Sequence, residues 1–71
     1  MNIPEMTPVE SSNVKAVGYD GTNLFVSFKT NTLYVYFDVP EMVYDGMMQA
    51  ASKGSFLHQH VINQYRYEKL K

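Results

Sequence analysis

The chain contains no cysteine, so neither a disulfide nor a thiolate-bound metal can staple its 71 residues. It has no surplus of cations either: six Lys and Arg against seven Asp and Glu leave a net charge of −1. A protein that holds nucleic acid by charge alone carries a basic excess, so any such binding here must come from a local patch or from stacking. Apolar runs are short, and none approaches the ~18–20 residues of a membrane span. The start, Met1-Asn2-Ile3-Pro4-Glu5, lacks the basic and apolar regions of a signal peptide. A soluble, cytoplasmic protein with no membrane association is expected. Internal repeats and low-complexity linkers are absent, and the length allows one domain that buries only about 60% of its unfolded surface.

What the chain does have is aromatic mass. Six tyrosines and four phenylalanines can each bury roughly 150–250 Å², and they cluster in alternating stretches. Val14 to Asp20 alternates as a strand does, Asp20-Gly21-Thr22-Asn23 carries turn chemistry, and Leu24 to Lys29 is rich in strand-forming residues. After a short polar connection, Leu33 to Asp38 forms a third strand, and two tight connections in succession imply an antiparallel meander. Beyond Pro40 the period changes to that of a helix: Val43, Met47 and Ala51 form one stripe, flanked by Tyr44 and Met48. Asp38 and Glu41 resemble a capping box with Pro40 in the first turn, though Val39 is an alternative cap. Gly54 suits a left-handed helix end, with Lys53 at the negative end of the dipole. Ser55 can then open a second helix reaching about Asn63.

The expected fold is α+β, a three-stranded antiparallel β-meander followed by two short helices packed on one face. Residues 1–12 read as an extended lead-in, 13–67 as the domain and 68–71 as a C-terminal tail.

Tyr34 and Tyr36 share one strand face, because side chains alternate with period two. They are either core beneath the helices, with hydroxyls at its edge, or a stacking platform of the kind that binds unpaired bases. In the platform reading Phe25 and Tyr19 extend the surface, and Lys15 and Lys29 reach phosphates. The tail, Tyr65-Arg66-Tyr67-Glu68-Lys69-Leu70-Lys71, interleaves aromatics with cations. It either grips a nucleic acid or an acidic protein surface, with Arg66 and Lys69 as the RNA contacts, or is a solvated terminus whose tyrosines pack back on the sheet. Met42, Met47 and Met48 are core filler or an adaptable docking face.

Other chemistries find little support. His58 and His60 diverge by about 200° on a helix and make no metal site there. No serine stands in a nucleophile elbow, and no glycine spacing cradles a phosphate. Asp38, Glu41 and Asp45 are explained by a helix N-terminus. No catalytic residue, metal or cofactor is expected.

An ordered set of segments carries a resemblance. Ser11-Ser12-Asn13, Val17-Gly18-Tyr19-Asp20, Leu24-Phe25-Val26-Ser27-Phe28, Tyr34-Val35-Tyr36, Asp38-Val39-Pro40, Ser52-Lys53-Gly54-Ser55-Phe56 and His60-Val61-Ile62 follow one another. Together they resemble the KTSC domain, found at the C-terminus of some lysyl-tRNA synthetases and as a free-standing short protein in bacteria and phages. The resemblance runs from about Val9 to Tyr67, and Tyr34 and Tyr36 match the family's Tyr-x-Tyr motif. The family has no established function, and its attachment to a tRNA ligase suggests RNA or tRNA as a partner. With no catalytic chemistry read from the residues, a non-enzymatic module that binds RNA through the aromatic sheet face and the C-terminal cations is expected. Val35 stands where relatives often have a polar or basic residue, and the C-terminal region has fewer arginines than theirs. Both departures remove charge that RNA would meet. The alternative is a protein–protein adaptor, docking through an apolar patch or an unpaired strand edge.

Overall fold

In the computed structural model, which describes residues 2–71, the elements run β1 (Thr7–Pro8), β2 (Val14–Tyr19), β3 (Leu24–Phe28), β4 (Leu33–Tyr36), α1 (Glu41–Gln49), α2 (Lys53–His60) and β5 (Tyr67–Lys69). The strands form one antiparallel sheet in the order β1-β2-β3-β4-β5. The expected three-stranded meander is therefore the centre of a five-stranded sheet. Its two extra strands come from stretches read as lead-in and tail, and β5 straddles the expected boundary at residue 67. Two and three residues are too few to show a period, so pairing with β2 and β4 rather than local pattern makes these segments strands. Pro8, which has no N–H to give, is tolerated in β1 because that strand lies at the edge.

The tight connection between β2 and β3 forms as the turn chemistry requires. The Asp20 carboxylate accepts hydrogen bonds from the amides of Thr22 (2.9 Å) and Asn23 (2.7 Å).

The helix ends differ from the sequence reading. Asp38 has φ 56° and lies outside α1, whose cap is Pro40, with no side-chain hydrogen bond. A residue held in the left-handed region cannot open a helix, so the capping box does not form. Gly54 is not a helix end but lies in the first turn of α2, which Ser52 caps by accepting from the Ser55 amide at 3.2 Å. Lys53 still serves the end of α1: its ammonium donates to the carbonyls of Met48 (3.2 Å) and Ala50 (2.9 Å). α1 stops at Gln49, so Ala51 leaves the expected stripe, and α2 stops at His60 rather than near Asn63.

Both faces of the sheet are covered. On one, Val14, Val17, Leu24, Val26 and Tyr36 pack with Met47, Leu57 and Val61 in the main core. Gly46 lets α1 and α2 approach, since a Cβ there would stand 3.1 Å from the Phe56 ring. On the other face Phe25 and Val35 are fully buried without helix cover. The chain before β1 crosses this side over Gly18, the residue opposite Phe25 in register. A Cβ on Gly18 would meet Met6 Sδ at 2.7 Å and the Glu5 carbonyl at 3.0 Å, so only glycine admits the crossing. Among the described residues no helix is long and apolar enough to cross a membrane.

Candidate nucleic-acid interface

The Tyr-x-Tyr pair of β4 is divided between the two roles that the sequence left open. Register places Tyr36 opposite Leu24 and Tyr34 opposite Val26, so both rings lie on the helix-covered face. Tyr36 is 4% exposed and belongs to the core. Its phenol pKa is pushed up, first by burial and then by the neighbouring Tyr34 and Tyr67. Tyr34 is only half-buried, packed against the margin of that core.

β5 completes the surface. Alternation and register put Tyr67 beside Tyr36 and Lys69 beside Tyr34, on that same face. The ring of Tyr67 lies 5.8 Å from Tyr34 and 6.0 Å from Tyr36, and Phe28 meets Tyr34 edge-on at 5.7 Å. Tyr67 is 61% exposed. Phe28, Thr32, Tyr34, Tyr36, Ile62, Asn63 and Tyr67 line an open cleft of about 360 Å³, at the low end of the ~300–1,000 Å³ of small-molecule sites. Its walls are mostly aromatic and its rim carries phenol and amide groups.

The remaining candidates are dispersed. Phe25 lies on the opposite face with no exposed surface, so it cannot extend the platform. Tyr19 stacks on Tyr44, with centroids 5.0 Å apart and planes 10° from parallel, and its hydroxyl donates to the Val39 carbonyl. Burial raises its pKa, and the charges of Glu41, Asp20 and Asp45 raise it further. Those carboxylates surround it with negative potential. Arg66 turns away from the cleft: its guanidinium stands 5.3 Å over the Phe37 ring and 3.9 Å from the Asp38 carboxylate. Lys69 adjoins the cleft, Lys29 borders a shallow recess with Asn13 and Thr30, and Lys15 lines a separate cleft on the other face. Of the expected set the cleft therefore gathers Tyr34 and, at its base, Tyr36, with Lys69 beside Tyr34, and it leaves Phe25, Lys15, Lys29 and Arg66 outside its walls.

Sequence reasoning placed Tyr67 in a cation-bearing tail and missed Phe28, Thr32, Ile62 and Asn63 as site residues. The alternation Tyr65-x-Tyr67-x-Lys69 was the available signal for a strand that carries an aromatic and a cation on one side. Nothing local marks Ile62 or Asn63, which reach the cleft through the turn after α2.

His60 packs its ring on Phe56 at 4.5 Å, and both His58 and His60 are exposed. Among the described residues no group of three or more His, Asp or Glu side chains could hold a metal ion.

The comparisons with known proteins agree with this architecture. The KTSC domain family profile matches residues 10–65. A protein of Tsukamurella paurometabola is 38% identical over 63 residues, covering 86% of this chain and 94% of that protein. A lysine–tRNA ligase of Nostoc is 36% identical over 63 residues, again 86% of this chain but only 11% of the ligase's length. The crystal structure of a KTSC domain protein from Yersinia pestis superposes with a TM-score of 0.91 at 30% identity, over 94% of this chain and 97% of that one. With the profile spanning most of the sheet and both helices, the chain belongs to the KTSC domain family.

Proposed function

We propose that this domain is a non-enzymatic module that binds RNA by stacking an unpaired base on the wall that Tyr34 and Tyr67 form in the cleft. The observation that carries the reading is the exposed, cation-flanked aromatic wall: Tyr67 faces solvent, Tyr34 stands beside it, and Lys69 follows on the same face. A base stacked on such a wall contributes about 1–3 kcal/mol, without needing the net basic excess this chain lacks. Related segments within lysine–tRNA ligases support an RNA partner by association.

The test is an NMR titration of labelled protein with short single-stranded RNAs and with tRNA, at low and at physiological salt. Shifts centred on Tyr34, Tyr67, Lys69 and Asn63 that persist at physiological salt are expected. Silence, or shifts that vanish with modest salt, would overturn the reading.

A second reading, a protein-docking adaptor, is favoured by β5, an exposed three-residue strand whose outer edge has no partner strand among the described residues. An extended peptide that paired there would perturb the amides of Tyr67–Lys69 and leave the rings of Phe28 and Tyr34 unmoved.

A further inference from the structure

The net charge of −1 conceals a strong asymmetry along the strands. Strand register brings Lys15, Lys29, Lys69 and Lys71 to one end of the sheet. Val14 pairs with Phe28, the Lys29 amide donates to the Asn13 carbonyl, Tyr34 pairs with Lys69, and the Leu33 amide donates to the Lys71 carbonyl. At the other end stand Asp20, Asp38, Glu41 and Asp45. Asp20 and Asp38 close the strands there, and Glu41 and Asp45 in α1 act with Asp20 on Tyr19. Of the two remaining cations, Arg66 meets Asp38 at that acidic end and Lys53 is held by the carbonyls of α1. None of the four clustered lysines is in an ion pair with a carboxylate among the described residues, although Glu10 and Glu68 lie near them in the chain.

Two clefts open at this basic end, one on each face, and they meet at Thr32. The tyrosine cleft lies on the helix side. The second, of about 600 Å³, lies on the side without helices; Met6, Ala16 and Leu33 form its apolar part, and Lys15 and Lys71 both line it.

We infer that the lysine end is a phosphate track. A single RNA strand with one base in the tyrosine cleft passes around the β3–β4 turn at Thr32, and its following phosphates lie against Lys15 and Lys71 on the opposite face. This rests on the RNA reading above and adds to it a ligand class: an unpaired strand of about four or more nucleotides, rather than a mononucleotide or a continuous duplex. The carboxylates at the far end repel phosphate and fix which way the strand leaves the cleft.

The experiment compares the full chain with a Lys15→Gln/Lys71→Gln variant and with Arg66→Gln, using adenosine monophosphate and a single-stranded RNA hexamer across a salt series. All three substituted side chains are exposed, and retained amide spectra verify the fold. The double variant is expected to bind the mononucleotide as the parent does. It should bind the hexamer more weakly, with a log K against log salt slope shallower by about 1.4, or ~0.7 for each lost phosphate contact. Arg66→Gln removes charge from the acidic end and should leave that slope unchanged. Hexamer binding with the parent's slope in the double variant overturns the track and leaves the base site standing. Failure of the parent to bind either ligand overturns the RNA reading, and the track with it.

Discussion

Tyrosines gather in two places in this domain, and the two groups behave as opposites. Tyr19 and Tyr44 are stacked nearly parallel beside α1, with the Tyr19 hydroxyl bonded to a backbone carbonyl and three carboxylates nearby. At the β4–β5 edge Tyr34 and Tyr36 lie 19° from parallel and Tyr67 is tilted by 42° and 40° against them, with an open cleft in front and Lys69 alongside. The first group closes the junction between sheet and helix, and its negative surroundings repel a polyanion. The second presents ring faces beside cations. Residue type alone therefore says little about a tyrosine's role; position on the strand and the sign of nearby charge decide it.

The comparison is most exposed to failure within the second group, where Tyr36 should act as core and Tyr67 as surface. Replacing Tyr36 by Ala removes a ring that is almost wholly buried, and should cost about 3–5 kcal/mol. That approaches the whole stability of a 71-residue domain, roughly 4–11 kcal/mol, so the cooperative melt should be lost or shifted far down. Tyr67→Ala gives up only cross-strand contact and should cost about 0.2–1 kcal/mol, while abolishing base binding. Equal destabilisation by both changes, measured by chemical denaturation, would mean that the cleft is core and not a site.

Alkaline titration tests both groups together. Tyr19 and Tyr36 have raised pKa values in the folded state, so the fold retains their protons where the unfolded chain, with phenols near ~10, releases them. Their contribution to stability is fully present below about pH 10 and is lost as pH rises through the raised folded values. Denaturant midpoints should therefore be flat on the approach to pH 10 and fall beyond it. The Tyr36→Phe variant should show a smaller fall. An identical fall in that variant would show that Tyr36 is not among the groups responsible.

Much of this arrangement was legible in the chain. The central strands, the turn at Asp20, the change of period after Pro40 and the family resemblance all follow from patterns several residues long, which local physics controls. What escaped was set by distant partners. Thr7–Pro8 becomes a strand only because β2 offers an edge, and Tyr67–Lys69 only because β4 does. Phe25 was placed on a surface because two helices cover one face of a sheet. The crossing of the N-terminal segment over Gly18, which accompanies its burial, leaves no periodic mark. The capping box failed for the same reason: Asp38 is held at positive φ, its amide 3.2 Å from the Asn23 side-chain oxygen. The polarised lysines emerge only when the strands are aligned, since along the chain Lys15, Lys29, Lys69 and Lys71 are spread almost end to end.

The most conservative change separates the two groups most cleanly. Tyr19→Phe keeps the ring stacked on Tyr44 and deletes only the hydroxyl that donates to Val39. Val39 precedes the cap of α1 and is itself buried, so its carbonyl loses this side-chain partner. A bond of this kind contributes about 0.5–1.5 kcal/mol, and the denaturant midpoint should drop accordingly with an unchanged m-value. RNA affinity should not move, because Tyr19 lies at the acidic end of the strands, away from the cleft and the lysines. A change in affinity greater than about twofold, in a variant whose fold is intact, would mean that the first tyrosine group also meets the ligand. The contrast between a structural pair and a binding group would then have to be abandoned in favour of one continuous aromatic surface.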